Sequence, residues 1–201
     1  MKYVLLVLAA CLSLTARAGQ AEPHTIFLLD LSRSMEFPVA GAKRIDIAKS
    51  ALVETLATSR YPGSELIMWN TGKLQESYGN GSQLSALIMA APEGDSGSEL
   101  GSAFLSISDA GYACAHVIFV TDEYPDDAGN FQQAIDRLLA PVGQNAVTVY
   151  VVRHPESYYY ADRFRAVSSD DRYRVIDGSR TASLSGYLED NPVTASCGFL
   201  S

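Results

Sequence analysis

Histidine and cysteine are scarce in this chain, and basic residues are fewer than acidic ones. The 201 residues include three histidines and three cysteines, and 15 lysines and arginines stand against 23 aspartates and glutamates. No Cys-x-x-Cys pair occurs, which removes the commonest sequence signal for a zinc or redox-active thiol site. The net charge of −8 argues against nucleic acid and anionic membrane surfaces as partners and suits a protein that handles cations.

The N-terminal apolar run, residues 3–15, is too short to span a bilayer. It follows Lys2 and precedes the small-x-small pattern Ala16-Arg17-Ala18, so residues 1–18 are predicted to be a secretory signal peptide. The expected product is exported, periplasmic or extracellular, with one domain over 24–190 and a C-terminal tail over 191–201. Two alternatives stay open. Leu8-Ala9-Ala10-Cys11 also resembles a bacterial lipoprotein processing box, which would make Cys11 a lipid anchor, or the segment remains as an uncleaved anchor.

Apolar runs and helical patterns alternate along the rest of the chain. Bare apolar runs predict strands buried on both faces, and a run of alternating polar and apolar residues predicts a short antiparallel edge strand. This alternation predicts an α/β fold with a doubly wound, mostly parallel sheet and helices on both faces. The predicted strands are 25–30, 65–70, 73–78 (the edge strand), 116–122, 146–153 and 173–177; the predicted helices are 45–56, 83–90, 99–109, 131–139 with Asn130 as its cap, 159–167 and 181–189.

Polar side chains follow two of these strands at the point where each ends. The first strand ends in Asp30-Leu31-Ser32-Arg33-Ser34, and the strand at 116–122 ends in Thr121-Asp122. Alternate residues of extended backbone point the same way, so the carboxylate and the two hydroxyls of the first segment converge. A doubly wound sheet binds ligands at the carboxyl ends of its strands, where the winding direction reverses. If the two strands are neighbours there, Asp122 joins the cluster, and the glycine-containing loop at 95–100 can add Ser98.

This ordered set resembles a von Willebrand factor type A domain over about residues 24–190. The resemblance rests on Asp-x-Ser-x-Ser at 30–34, on Gly97-Ser98-x-Leu100 followed by Ala103-Phe104, and on the strand that ends in Thr121-Asp122. It implies a metal-ion-dependent adhesion site in which Ser32 and Ser34 bind the metal directly and Ser98 supplies a third hydroxyl. Asp30 and Asp122 would hold the metal directly or through water. An aspartate or glutamate of a partner protein then fills the vacant coordination position.

The chemistry of the donor atoms agrees with that assignment. Hydroxyl, carboxylate and water oxygens without histidine or cysteine favour Mg²⁺, Mn²⁺ or Ca²⁺. Two residues depart from the family pattern, because Ser98 stands where threonine is usual and Glu123 stands where glycine usually follows the last aspartate. Two other interpretations stay open: Ser32 and Ser34 only cap a turn, or the domain no longer binds metal.

Two further features lie outside the metal motif. The segment after Arg153 contains Tyr158, Tyr159 and Arg163, residue types that are enriched at protein interfaces, although tyrosines there could equally pack a helix onto the sheet. Cys114 and Cys197 are the cysteines beyond the predicted signal peptide. In an exported protein they favour a disulfide over two separate buried thiols.

These patterns predict an exported, metal-dependent protein-binding module and not an enzyme. The sequence has no Walker-type Gly-Lys-Ser/Thr loop, no Gly-x-Gly-x-x-Gly fingerprint and no Gly-x-Ser-x-Gly elbow. One alternative is a Mg²⁺-dependent phosphoryl-transfer hydrolase, because such enzymes also use an acid at the end of the first strand. That chemistry needs a second acid two residues on, where this chain has Ser32. The other alternative is a structural domain with a degenerate metal site.

Overall fold

A six-stranded, mostly parallel sheet forms the centre of the molecule. The computed structural model describes residues 24–58, 60–95, 97–140, 144–181, 183–192 and 197. The strands are β1 (His24–Asp30), β4 (Ser64–Trp69), β5 (Lys73–Gly79), β6 (Ala115–Thr121), β7 (Ala146–Val151) and β8 (Tyr173–Asp177), and β2 (Pro38–Val39) and β3 (Ala42–Lys43) form a small separate hairpin. Their order in the sheet is β5–β4–β1–β6–β7–β8, with β5 antiparallel to β4.

Six α-helices within the described residues cover the two faces of the sheet. They are α1 (Arg44–Leu56), α2 (Gly81–Met89), α3 (Leu100–Asp109), α4 (Ala128–Leu138), α5 (Ser157–Arg165) and α6 (Leu184–Asp190). The apolar stripes of α1, α2 and α6 pack on one face, and those of α3, α4 and α5 pack on the other. The predicted doubly wound α/β fold with an antiparallel edge strand is therefore confirmed.

The central strands are apolar because they are covered on both sides. Side chains of β1 alternate between the two cores: Ile26 and Leu28 enter the α3–α4–α5 side, and Phe27 and Leu29 enter the other. All four are fully buried. Such a strand has no polar face, which explains why its sequence is a bare apolar run.

Apart from small shifts at the ends of elements, the structure differs from the sequence prediction at one helix cap, at one hairpin and at Arg33–Glu36, which form a 3-10 helix instead of extended backbone. Asn130 does not cap α4, because that helix begins at Ala128 with Asp127 at the N-cap position. The Asp127 carboxylate instead accepts hydrogen bonds from the Gly101 and Ser102 amides, both at 2.7 Å, and so caps the neighbouring α3. The hairpin of β2 and β3 was not predicted, since two residues per strand are too few for an alternating pattern.

The predicted disulfide joins Cys114 and Cys197, whose Cα atoms are 5.8 Å apart. Cys114 directly precedes β6, so the bond fastens the chain beyond α6 to the amino end of the sheet. The predicted signal peptide, Cys11 and most of the predicted tail lie outside the described residues. Among the helices that are described, none has the length and apolar character needed to cross a membrane.

His116 is expected to make the free energy of unfolding depend on pH. It is 4% exposed and its Nε2 lies 2.8 Å from the Thr148 hydroxyl. Burial, reinforced by the charge of Arg174, lowers the pKa of His116 to about 3. The unfolded chain, with an ordinary histidine pKa near 6.5, therefore binds a proton that the folded chain excludes. Between about pH 6.5 and pH 3 the free energy of unfolding should fall as pH falls, by up to roughly 1.4 kcal/mol per pH unit from this residue.

Urea denaturation at several pH values between 4.5 and 7.5 tests this prediction. His116→Gln keeps a polar group beside Thr148 and removes the titration, so its stability should fall less steeply with acid than that of the unchanged protein. Parallel pH dependences for the two proteins would contradict the assignment.

Candidate metal centre

The winding direction of the sheet reverses between β1 and β6. Strand β1 pairs in parallel with β4 on one side and with β6 on the other. Asp30 is the last residue of β1, and Asp122 directly follows β6. The two carboxylates therefore lie at the same carboxyl edge, at the switch point where doubly wound sheets bind ligands. The expectation that these two strands are neighbours is confirmed.

Asp30 is fully buried, and both of its oxygens accept hydrogen bonds. The Ser32 amide donates to Oδ1 at 2.7 Å, and the Thr121 hydroxyl donates to Oδ2 at 2.6 Å. Burial, and next the nearby charge of Asp122, raises the pKa of Asp30 well above its ordinary range. A cation beside it would favour the ionised form. Asp30 also fixes the turn that follows β1.

A row of oxygens crosses the crevice between β1 and β6. Ser32 Oγ lies 3.0 Å from Ser34 Oγ. Ser34 Oγ in turn lies 2.9 Å from Asp122 Oδ1 and 2.9 Å from Glu123 Oε1. The Asp122 side chain is completely buried, whereas Glu123 is half-buried. The structure thus brings four of the five predicted ligands into one cluster: Asp30, Ser32, Ser34 and Asp122.

Ser98 lies in a loop that is tied to three strand ends. Gly97 has φ +95°, and a Cβ atom there would lie 2.0 Å from Thr71 Cγ2, so the loop before Ser98 accepts only glycine. Ser98 is 2% exposed. Three backbone hydrogen bonds of 3.0 to 3.1 Å fix the loop to the ends of β1, β4 and β6: Asp95 N to Leu31 O, Glu99 N to Asn70 O, and Asp126 N to Ser98 O.

One basic side chain that the sequence pattern did not indicate enters the site. Arg44, the first residue of α1, places its Nη1 2.5 Å from Asp122 Oδ2, and the Arg44 side chain is 16% exposed. In the described part of the chain no basic residue forms an ion pair with Asp30 or Glu123. Among the described residues, Asp122 is therefore the one of these three carboxylates that is ion-paired, and Asp30 and Glu123 are not.

The donor set fits a hard divalent cation. Ser98 Oγ is buried and has no hydrogen-bond partner among the described residues, whereas buried hydroxyls normally have one. The surplus of carboxylate charge also favours a cation, and all the donors are oxygens. No group of three or more His, Cys, Asp or Glu side chains in the described ranges is placed to bind a metal. A cation here therefore depends on the serine hydroxyls.

His154 supports the site through the backbone. Its Nε2 lies 2.7 Å from the Asp122 carbonyl oxygen, and the residue is 4% exposed. Burial lowers the pKa of His154 below its ordinary value, which favours a neutral ring that donates from Nε2. This role could not be predicted from the sequence, because a single histidine in a loop has no spacing that relates it to Asp122.

Helix α5 carries the three residues predicted to contact a partner. Tyr158 and Tyr159 are 55% and 52% exposed. The Arg163 guanidinium carbon lies 4.1 Å from the centre of the Tyr124 ring, within the range of a cation–π contact. Tyr124 follows Asp122 by two residues, so Arg163 joins this exposed surface to a loop of the candidate metal centre.

Comparisons with known proteins find similarity in structure only. Neither a protein-family model nor a curated protein sequence matches the chain. A von Willebrand factor type A protein from Catenulispora acidiphila aligns with a TM-score of 0.57 at 14% identity, over 87% of this chain and 43% of that one. Manganese-loaded TRAP from Plasmodium vivax aligns with a TM-score of 0.54 at 16% identity, over 83% and 72% of the two chains.

A third solved structure is proximal thread matrix protein 1 from the mussel byssus, in a form with a zinc-occupied metal-ion-dependent adhesion motif. It aligns with a TM-score of 0.58 at 12% identity, over 88% of this chain and 48% of that one. The chain thus spans less than half the length of two of these three proteins. At such identities the likeness concerns the fold, and the fold of this chain is that of a von Willebrand factor type A domain.

Proposed function

We propose that this chain is a metal-dependent protein-binding module of the adhesion or complex-assembly type. The observation that carries the proposal is the row of oxygens at the switch point, where Ser34 Oγ lies 3.0 Å from Ser32 Oγ and 2.9 Å from Asp122 Oδ1. Two neighbours in fold support a divalent cation in general, since one is manganese-loaded and the other has zinc in its adhesion motif.

Each residue of the centre has a distinct proposed role. Ser32 and Ser34 would bind Mg²⁺, Mn²⁺ or Ca²⁺ directly, and Ser98 would supply the third hydroxyl. Asp30 and Asp122 would hold the ion directly or through water. Few carboxylates in direct contact leave the bound ion electrophilic, so it would attract an aspartate or glutamate of a partner protein.

The exposed surface of α5 is proposed to contact the same partner. Tyr158 and Tyr159 offer large, half-exposed rings, and Arg163 offers a positive charge beside the site loop. Aromatic and arginine side chains often contribute most of the binding energy at interfaces. A partner that presents an acidic side chain would suit both the ion and Arg163.

A phosphoryl-transfer role fits this geometry less well. Asp30 occupies the position of a nucleophilic carboxylate, yet it is fully buried and both its oxygens accept hydrogen bonds from within the chain. The position two residues on is Ser32 rather than a second acid. We therefore favour a binding module over a hydrolase.

Export is proposed from the disulfide and the N-terminal pattern. A bond between Cys114 and Cys197 is expected to persist in an oxidising compartment, which fits the periplasm or the cell exterior. Residues 1–18 are proposed as the leader and 24–190 as the folded domain. Removal of the leader would take away Lys2 and Arg17 and leave a more acidic protein.

Calorimetric titration of Mn²⁺ and Mg²⁺ into the chelator-stripped mature chain tests the proposal. The unchanged protein should bind one ion, and Ser32→Ala with Ser34→Ala should weaken binding by at least about tenfold, since altered metal sites lose affinity on this scale. A matched control replaces two exposed helical serines, Ser50 and Ser82, by alanine and should bind as the unchanged protein does.

The same variants test protein recognition. Immobilised peptides that contain aspartate or glutamate should retain the unchanged protein in Mn²⁺ and release it in chelator, and the variant without Ser32 and Ser34 hydroxyls should not be retained. Two results would contradict the proposed interface. One is retention of the variant that lacks the Ser32 and Ser34 hydroxyls, and the other is an ion affinity of this variant equal to that of the Ser50 and Ser82 control.

A further inference from the structure

The Glu123 carboxylate contacts Ser34 of the candidate metal centre. Its backbone is held by Thr121, whose hydroxyl oxygen lies 3.2 Å from the Glu123 amide and 3.0 Å from its carbonyl oxygen. From this anchored backbone the side chain reaches Ser34, which donates to Oε1 at 2.9 Å. The carboxylate thus touches one of the hydroxyls proposed to bind the ion.

Glu123 differs from Asp122 in its burial and in its ion pairing. Both carboxylates lie 2.9 Å from Ser34 Oγ, but Asp122 is completely buried and paired with Arg44. Glu123 is half-buried and, among the described residues, has no basic partner within ion-pair distance. Of the two carboxylates that contact Ser34, Glu123 is therefore the more accessible to solvent.

We propose that Glu123 is a further ligand of this centre and occupies the coordination position that a partner's carboxylate would otherwise take. This inference rests on the proposed function and concerns its regulation. The chain carries its own competitor, so a partner gains access to the ion only when the Glu123 side chain leaves it. An internal ligand keeps the ion in place while no partner is bound and selects partners whose carboxylate binds more strongly.

The competition predicts that one substitution weakens the binding of the ion and strengthens the binding of an external carboxylate to that ion. Loss of the Glu123 carboxylate removes a ligand from the ion and frees a coordination position for water or for an external carboxylate. Asp126 offers a matched control, because it is an exposed acid in the same loop and its removal changes the net charge equally. Any effect of Glu123→Ala beyond that of Asp126→Ala reports a direct contact rather than general electrostatics.

Mn²⁺ serves as the probe, because electron paramagnetic resonance measures its affinity and water proton relaxation counts the exchangeable waters on it. Compared with the unchanged protein, Glu123→Ala should bind Mn²⁺ about tenfold more weakly and should carry one more exchangeable water. Added acetate, as a stand-in carboxylate, should bind to the ion at a lower concentration in Glu123→Ala than in the unchanged protein. Asp126→Ala should match the unchanged protein in all three measurements.

The outcomes separate this inference from the proposed function. If the unchanged protein binds Mn²⁺ and Glu123→Ala behaves like Asp126→Ala in affinity and water count, the internal-ligand proposal is overturned and the metal centre stands. If the unchanged protein binds no Mn²⁺, both are overturned.

Discussion

Replacing Asp122 by alanine is expected to abolish the stabilisation that a divalent cation bound at the proposed centre would give to this protein. An ion present at 100 times its dissociation constant adds about 2.7 kcal/mol to the free energy of unfolding, which for a domain of this size raises the melting temperature by roughly 5–10 °C. Asp122 is fully buried beside Ser34, so its loss removes a negative charge from the centre. Thermal melts with and without Mn²⁺ measure the effect.

Two controls keep this result interpretable. Alanine at this position also leaves Arg44 without its partner, which lowers stability with no ion present, by about 3–5 kcal/mol for a fully buried pair. The prediction therefore concerns the difference between melts with and without ion, and Asp122→Asn repeats it with the side-chain shape retained. Asp136→Asn removes an exposed acid of α4 and should keep the full shift. A Mn²⁺ shift that survives in both Asp122 variants would contradict the assignment.

Removing the disulfide between Cys114 and Cys197 is expected to lower the free energy of unfolding by about 4 kcal/mol. The bond closes a loop with a sequence separation of 83, and a cross-link over such a long segment restricts the unfolded chain strongly. Urea denaturation of a variant with serine at both positions measures the loss. The unchanged protein in reductant should lose the same amount.

The same substitution should leave the metal centre intact. Cys114 lies before β6 and Asp122 lies after it, so the length of a seven-residue strand, about 23 Å, separates the disulfide from the ion site. Mn²⁺ affinity should be equal in oxidised and reduced protein at temperatures where both are folded. A loss of stability below 1 kcal/mol, or a change in affinity on reduction, would disprove this separation of roles.

The strands of the sheet could be predicted because their burial on both faces determines the residue types within each strand. A strand covered by helices on both faces is mostly apolar, and β1, β6 and β7 show this as runs with few polar residues, such as His116 in β6 and Thr148 in β7. The polar residues that interrupt the runs at strand ends then indicated Asp30 and Asp122. Parallel pairing alone brings these ends together.

The rest of the site depends on contacts between distant segments. Arg44 is separated from Asp122 by 78 residues and reaches it because α1 packs beside the crevice. The sequence marks Glu123 as an extra acid beside the motif that could raise cation affinity or compete with a partner's carboxylate. Its contact with Ser34 could not be predicted, because it depends on the path of the loop after β6. Asp127 likewise caps α3 across a chain separation of 26 residues. No local pattern encodes such pairs.

Crystals of the mature chain soaked in Mn²⁺ test the central claim most directly, because manganese scatters anomalously and its position can be read without a fitted model. We expect one strong anomalous peak within bonding distance of Ser32 Oγ and Ser34 Oγ, beside Ser98 and Asp122. A strong peak at another place, or no peak in this crevice at saturating Mn²⁺, would contradict a metal centre at the switch point between β1 and β6.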